Sequence, residues 1–275
     1  MTPSQWLMIL ILSVLVAEIL SGRHKGIYKR RDLLITGGCL LLSRTLMSPA
    51  IALAVASVLA FLLPGYRGAL ADAPLAPAVV VMILVGELVF YWVHRWAHQP
   101  LAHPLLYGMH HTHHSAPYLN ITVMARVNVF WPFFQPYTWV SGAAFYLGMV
   151  EAATVFFVGM LAWNAFTHTD FRWDDALIAR FSFGNKLVRM IELVFVTPRL
   201  HHTHHGYGRD GKAYRNFCTM ITLYDRLFKT LHIPQGRPAK YGIMGREKHW
   251  LEEIIFPLYR SKPTAAPATD GAVGN

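Results

Sequence analysis

Long apolar segments alternate with polar and basic segments along this chain. Apolar residues dominate positions 6–20, 33–63 and 78–96, and a fourth apolar block runs from 129 to 166. About 20 consecutive apolar residues form an α-helix long enough to cross a lipid bilayer. The pattern therefore predicts an all-α integral membrane protein with about four to five membrane-embedded helices and a cytosolic, histidine-rich helical cap.

Two of these segments leave their topology open. Segment 33–63 is longer than one membrane span and is interrupted by an arginine and a proline. It forms either one tilted, kinked helix or two short segments that turn back. The fourth apolar block contains candidate turns at Ser141-Gly142 and at 148–151. We interpret it as a helical hairpin that crosses the membrane and returns.

Composition divides the chain into three parts. Residues 1–77 form N-terminal membrane helices and end in a loop rich in proline, glycine and alanine. Residues 78–260 contain the remaining membrane helices and the cap. Residues 261–275 are rich in proline, alanine, glycine and threonine, and we predict that this tail is disordered.

The distribution of charge predicts the orientation in the membrane. The chain is 54% hydrophobic and 15% charged, with a net charge of +10; of its 25 Lys and Arg, 16 follow residue 171 and five lie in segment 23–31. Basic segments beside apolar helices mark the cytoplasmic side, and without a known nucleic-acid-binding module the charge does not indicate nucleic acid. An uncleaved first helix that ends before segment 23–31 leaves this segment in the cytosol. One crossing out and one back then return residue 94 to the same side.

Histidines are clustered along the chain. Twelve of the 15 lie between residues 94 and 205, and the pentapeptide His-His-Thr-His-His occurs at 110–114 and at 201–205. Residues three and four apart share a helix face, so each repeat can direct two or three imidazole nitrogens to one point. Imidazole suits iron, zinc, copper and nickel, and one ion cannot use so many. We predict two metal ions held by nine ligands: His94, His98, His110, His113, His114, His168, His201, His204 and His205.

The motifs around these histidines resemble those of the membrane-bound fatty acid hydroxylase / sterol desaturase superfamily. The resemblance is carried by Tyr-Trp-Val-His-Arg-Trp-Ala-His at 91–98, His-His-Thr-His-His-Ser at 110–115, the lone His168, and Thr-Pro-Arg-Leu-His-His-Thr-His-His-Gly at 197–206. A C-terminal signature, Tyr-Asp-Arg-Leu-Phe-Lys-Thr at 224–230, is similar. The family more often has tryptophan in place of this tyrosine and glycine in place of this lysine.

This resemblance implies that residues 78–260 are a fatty acid hydroxylase-like catalytic domain with two non-haem iron ions and dioxygen as co-substrate. The implied reaction is hydroxylation or desaturation of a C–H bond in a lipid such as a sterol, a fatty acyl chain or an alkylglycerol. It consumes two electrons, and the sequence has neither a dinucleotide-binding fingerprint nor a haem-attachment motif. We therefore expect an external electron donor of the ferredoxin or cytochrome type, with its reductase.

The expected location is multi-pass, in a bacterial inner membrane or the endoplasmic reticulum, with the active site on the cytoplasmic face. Two other functions stay open as alternatives. One is a membrane zinc hydrolase, although catalytic zinc needs about three protein ligands. The other is a metal transporter or sensor, although transporters place their ligands at the membrane midplane.

Four further residues are predicted to support the ligands. His111 and His202 are either ligands in place of a neighbouring histidine or, as we predict, hydrogen-bond donors that support the ligands. Glu87 lies in an apolar helix, where a carboxylate is usually functional or paired. It either orients a ligand imidazole or pairs with an arginine such as Arg44. Asn164, one turn before the lone histidine, either holds a metal-bound water or packs.

Overall fold

Helices dominate the structure, a computed structural model that describes residues 3–21, 27–244 and 247–261. Within these residues the α-helices are α1 (Pro3–Leu20), α2 (Arg30–Cys39), α3 (Ser48–Leu62), α4 (Leu75–Ala97), α5 (Pro104–His114), α6 (Pro136–Tyr146), α7 (Val150–His168), α8 (Trp173–Arg180), α9 (Gly184–Glu192), α10 (Pro198–His205), α11 (Leu223–Leu227) and α12 (Trp250–Ile255). Two short strands, β1 (Gly206–Tyr207) and β2 (Lys240–Tyr241), pair antiparallel. The predicted all-α membrane fold is confirmed. The predicted disordered tail lies outside the described residues from residue 262 onward.

The apolar segment 33–63 is one helix and not a hairpin. A π-helical segment, Leu40–Met47, joins α2 and α3 into a single helix of 33 residues. Within this segment, Arg44 donates hydrogen bonds to the carbonyl of Met124 (3.0 Å) and to Oε1 of Gln135 (3.4 Å). Since the interrupting arginine finds its acceptors inside the protein, the chain does not need to turn back. The segment is therefore one helix that is long enough for a single crossing.

Among the described residues, three helices are long and apolar enough to cross a membrane: Arg30–Leu62, Leu75–Ala97 and Val150–His168. A shorter apolar helix, Ile9–Leu20, belongs to α1, which packs against α7. Large apolar side chains project outward from the long helices. Phe61, for example, is 83% exposed. Exposed apolar surface of this extent indicates contact with lipid.

The predicted hairpin has one long arm and one short arm. Helix α7 contains 19 residues, whereas α6 contains only 11, or about 16 Å of length, and is too short to cross alone. The turn between them lies at Gly148, whose φ of +88° favours glycine. The other candidate turn, Ser141-Gly142, was wrong because both residues lie inside α6. Gly142 instead allows close packing against the carbonyl of Ala52 in α3.

The cap, from α8 to α12, is fixed against the membrane helices by two buried apolar clusters. In the first, Tyr91 of α4 packs with Leu200 and Phe217. In the second, Ile254 of α12 packs on Ile35 of α2. Burial of each such side chain contributes roughly 1.5–3 kcal/mol. The cap therefore holds its histidine-bearing helix α10 in a defined position over the ends of α4 and α7.

Candidate metal centre

The nine predicted ligands lie together at one end of the membrane helices. They form two groups, and within each group the ligand nitrogens lie within 4.8 Å of one another. The five-histidine group contains His94, His98, His110, His114 and His204, and the four-histidine group contains His113, His168, His201 and His205. The groups touch, since the ring centroids of His114 and His205 are 4.2 Å apart.

Each His-His-Thr-His-His repeat is divided between the two groups. In the first repeat, the residues four apart join the five-histidine group, whereas His113 joins the four-histidine group. In the second repeat this is reversed, and His204 alone joins the five-histidine group. Four residues advance a helix by a little more than one turn, whereas the intermediate position is rotated to the side. Each repeat therefore contributes to both groups, with two nitrogens in one and one in the other.

Short helices that begin with proline carry both repeats. Helix α5 begins at Pro104 and α10 at Pro198, where proline's fixed φ fits the first turn. Thr197 caps α10, and its Oγ1 accepts a hydrogen bond from the backbone N–H of Leu200 (3.4 Å). The remaining ligands lie at the C-terminal ends of α4 and α7. Four helix ends thus supply all nine imidazoles.

Several ring nitrogens lie as close together as ligands of one ion. In the five-histidine group, Nε2 of His110 lies 3.0 Å from Nε2 of both His94 and His114. In the four-histidine group, Nε2 of His168 lies 3.3 Å from Nε2 of His113 and 3.1 Å from that of His201. Coordination bonds of about 2.1 Å at right angles separate neighbouring ligand atoms by about 3 Å. The spacing therefore fits two metal ions, one in each group.

Backbone carbonyls fix the orientation of three ligands. Nδ1 of His94 donates to the carbonyl of Phe217 (2.6 Å), and Nδ1 of His204 donates to that of Arg215 (2.8 Å). Nδ1 of His168 donates to a carbonyl one turn earlier in α7 (2.7 Å). Because Nδ1 carries the proton, the lone pair of each ring lies on Nε2, inside its group.

Other nitrogens in the groups are buried with no hydrogen-bond partner among the described residues. These include Nε2 of His98, His204 and His205. An unpaired buried polar atom destabilises a fold by about 1–3 kcal/mol, and such atoms are uncommon in native structures. A bound metal ion would remove this cost, since it accepts the lone pair that lacks a partner. The donor set therefore fits metal ions that prefer imidazole.

Burial keeps these imidazoles neutral. It lowers the pKa of His98, His110, His113, His114, His201 and His205 well below the usual value, and the neighbouring histidines lower each pKa further. Burial lowers the pKa of His204 to about 4. At neutral pH the rings are therefore uncharged and available as ligands.

His111 and His202 lie outside both groups. His111 Nδ1 donates to Oε2 of Glu253 (3.1 Å). His202 Nε2 donates to the carbonyl of Thr169 (3.0 Å), and its Nδ1 accepts from the hydroxyl of Tyr241 (2.9 Å). Neither residue donates directly to a ligand imidazole, and their supporting role beside the ligands stays a prediction. His111 connects α5 to α12 through Glu253. His202 connects α10 to Thr169, the residue after the lone histidine, and to Tyr241 of β2.

Glu87 contacts neither a ligand imidazole nor Arg44 directly, so its role in orienting a ligand stays a prediction. Its carboxylate is fully buried and accepts hydrogen bonds from the hydroxyl of Tyr137 (2.5 Å) and from the backbone N–H groups of Thr219 (3.0 Å) and Met220 (3.3 Å). The sequence indicated a paired carboxylate but could not identify partners 50 and more than 130 residues away. Glu87 therefore anchors the loop after residue 216 to α4 and α6.

Replacing Glu87 with alanine should weaken metal binding by about 10–100-fold, the usual effect of losing a residue that orients ligands. The anchored loop includes Phe217, whose carbonyl orients His94. Equilibrium dialysis of iron against the purified variant would measure the loss. Glu151→Ala is a matched control, because Glu151 is exposed in the first turn of α7, whereas the ligand His168 lies in the last turn. Unchanged affinity in Glu87→Ala would contradict the anchoring role.

Asn164 contacts the lone histidine only through its backbone. Its carbonyl accepts from Nδ1 of His168 (2.7 Å) and from Oγ1 of Thr167 (3.1 Å). Any residue at this position would offer the same carbonyl. A role for the amide side chain stays a prediction.

Sequence reasoning missed two carboxylates that hold the site. Glu18 of α1 is 2% exposed and accepts from the backbone N–H groups of Ile121 (2.9 Å) and Asp170 (2.6 Å). Glu253 of α12 holds α5 through its side chain and through its carbonyl, which accepts from Thr112. An acid within an apolar helix was a usable signal for Glu18. Glu253 lies in a polar segment and gave no signal.

The fold and the site together define a helical membrane protein built around clustered, buried histidines. The sequence profile of the fatty acid hydroxylase family matches residues 79–230, more than half of the chain. The chain belongs to this family.

Individual relatives share about a quarter of their aligned residues with this chain. Alkylglycerol monooxygenase of Danio rerio is 27% identical over 187 residues, which are 63% of this chain and 35% of that protein. Ornithine lipid hydroxylase OlsE of Rhizobium tropici is 27% identical over 197 residues, 68% of this chain and 52% of that protein. The chain thus spans about half or less of the length of these relatives. No solved structure gives a significant match.

Proposed function

We propose that this protein oxidises a C–H bond of a membrane lipid, by hydroxylation or desaturation, with two iron ions as cofactor and dioxygen as co-substrate. One observation carries the proposal: nine imidazoles from four helix ends, seven of them buried and two partly buried, converge in two adjacent groups. The relatives support it, because the names of both describe oxidation of a lipid. The lipid proposed is a sterol, a fatty acyl chain or an alkylglycerol.

The histidines and the backbone carbonyls around them would bind and orient the metal ions in the proposed reaction. The five-histidine and four-histidine groups would each hold one iron ion through Nε2 atoms, and the carbonyls of Phe217 and Arg215 keep their ligands oriented. When bound, the two iron ions supply the capacity to activate dioxygen toward an unactivated C–H bond. Burial of the imidazoles excludes water from the reaction and keeps the ligands neutral.

The competing functions fit this donor set less well. A catalytic zinc site uses about three protein ligands and a nearby general base. Among the described residues, neither histidine group includes a carboxylate. Transporters place their ligands in broken helices at the membrane midplane, whereas these ligands lie at helix ends. The donor set therefore favours the oxidase.

We also propose that electrons come from an external donor, a ferredoxin or cytochrome with its reductase. The only strands in the described part of the chain contain two residues each, so the described part contains no sheet that could bind a dinucleotide. The basic cap offers an electrostatic docking face for an acidic carrier.

The proposed location is multi-pass, with the site on the cytoplasmic face of a bacterial inner membrane or of the endoplasmic reticulum. The single long helix Arg30–Leu62 supports this topology. With the basic segment near residue 30 in the cytosol, this helix crosses out and α4 crosses back, so the C-terminal end of α4 lies on the cytoplasmic face.

Metal analysis tests the proposal directly. The protein, purified in detergent from iron-replete cells, should contain about two iron ions per chain and should consume dioxygen when a lipid substrate and a reduced ferredoxin are supplied. Lipid profiles of cells with and without the gene would identify the product. A content of about one zinc ion per chain, with no dioxygen consumption, would support the hydrolase instead.

A further inference from the structure

A polar pocket of about 320 Å³ opens beside the five-histidine group. Its lining residues come from the end of α4 and from two loops that follow β1 and α11, and they include Arg95, His98, Arg215, Phe217, Phe228 and Lys229. Two of them, His98 and Phe217, also form part of the wall of the metal centre. The pocket and the metal centre are therefore separated by a single layer of side chains.

The pocket is cationic. Arg95, Arg215 and Lys229 line it, and none of the described acidic side chains does. None of the three forms an ion pair with a carboxylate in the part of the chain that the structure describes. Arg95 donates to the hydroxyl of Tyr91 (3.1 Å), and Arg215 donates to the carbonyl of Lys229 (2.6 Å). Three cations without a counter-charge around one cavity would attract an anion.

Lys229 has an unusual backbone conformation. Its φ is +58°, in the left-handed region that favours glycine. A residue other than glycine in the left-handed region lowers the stability of the fold. Residues held in such conformations cluster at binding and catalytic sites. The chain nevertheless has a long cationic side chain at this position, on the wall of the pocket.

The pocket lies next to surface that fits lipid. Helix α11 runs along α4, and the hydroxyl of Tyr224 donates to the carbonyl of Leu84, well inside the membrane helix (2.8 Å). Trp96 and Leu227, the sequence neighbours of two pocket residues, are 42% and 63% exposed. A cationic cavity bordered by exposed apolar side chains matches a ligand with an anionic head and an apolar tail.

We propose that this pocket binds the phosphate of an anionic lipid headgroup, and that lipids with such a headgroup are the substrates of the enzyme. The second part rests on the proposed function. Free phosphate and an acidic protein carry the same charge but lack the tail that the exposed apolar side chains would accept. A pocket of this size is also small for a protein interface.

The binding test uses the full chain in detergent and needs no turnover. Native mass spectrometry would compare dioleoyl phosphatidic acid with dioleoylglycerol, which has the same tails and no phosphate. The Lys229→Gly variant removes one cation and relieves the left-handed strain, so it should fold at least as well as the original chain. Lys186→Ala is the matched control, because it removes an exposed lysine from α9 in the cap.

Phosphatidic acid should bind at least tenfold more tightly than dioleoylglycerol. Lys229→Gly should lower that affinity about five- to tenfold, as expected for one cation near a phosphate, and Lys186→Ala should leave it unchanged. Equal affinity for both lipids, or an unchanged affinity in Lys229→Gly, would overturn the headgroup site. Complete displacement of the lipid by millimolar inorganic phosphate would assign the pocket to free phosphate and overturn the lipid assignment. The headgroup site would also be overturned if phosphatidic acid failed to bind while an acidic electron carrier protected the Lys229 amine from chemical modification.

The substrate test is separate. For a phosphorylated alkylglycerol, Lys229→Gly should raise KM about five- to tenfold with little change in kcat, whereas KM for the unphosphorylated alkylglycerol should stay the same. A higher KM for both lipids, or for neither, would contradict the substrate class. Absence of any oxidation by the original chain would count against the proposed function and not against the headgroup site, since binding is measured independently.

Discussion

His204→Ala is expected to abolish lipid oxidation, with a loss of more than about 100-fold, and to release one of the two metal ions. His204 belongs to the five-histidine group, and its buried Nε2 has no partner among the described residues. His113→Ala should give the same loss through the four-histidine group. Under the proposal that each group holds its own ion, each variant should retain about one iron per chain. Metal analysis and dioxygen consumption would measure both effects.

His232→Ala is the control for these variants. The contacts of His232 with Asn216 are made by backbone atoms, which alanine retains. This variant should keep both ions and full activity, and all three variants should elute as the same species in size-exclusion chromatography. Full activity in His113→Ala would contradict its assignment as a ligand. Loss of both ions in each single variant would contradict two separate metal positions.

Asp32→Ala should destabilise the protein by about 3–5 kcal/mol. Its partner Arg126 is 0% exposed, and the guanidinium donates to Oδ1 of Asp32 (2.7 Å) and to Oγ of Ser115 (2.7 Å). Without the carboxylate, a positive charge would stay buried and unpaired. Ser115 follows the first histidine repeat directly, so the metal centre should be disturbed as well. Thermal unfolding in detergent, followed by tryptophan fluorescence, would measure the loss.

The double variant Asp32→Ala/Arg126→Met tests the cause. Removing both charges leaves no unpaired ion, and replacement of a buried pair by apolar side chains is often neutral. The double variant should therefore recover most of the lost stability. If it is as unstable as Asp32→Ala alone, packing rather than charge is responsible. A single variant within about 1 kcal/mol of the original chain would show that the pair contributes no more than an exposed ion pair.

Local spacing explains why the ligand candidates could be predicted. Positions four apart, such as His110 and His114, lie on one helix face whatever the rest of the fold does, and each such pair shares a group here, whereas the position three apart joins the other group. All nine candidates consequently lie in the two histidine groups. How the repeats divide could not be predicted, because the direction in which His113 and His204 point depends on how α5 and α10 pack against α4 and α7.

Buried carboxylates were harder to assign. Glu87 was recognised as significant because it interrupts an apolar helix, yet it contacts neither predicted partner directly. Its actual partners are backbone N–H groups of a distant loop, and such groups leave no mark in the sequence. Glu18 and Glu253 hold the same site from opposite ends of the chain, and only the folded arrangement reveals them.

The sequence by itself determined the membrane-embedded helical class and the nine histidines, because hydropathy and helical periodicity are properties of neighbouring residues. Tertiary structure alone decided that segment 33–63 stays one helix, that each repeat serves both groups, and that three carboxylates fix the surrounding backbone. Those outcomes depend on contacts between residues far apart in the chain, where packing and the satisfaction of buried polar groups select the partners.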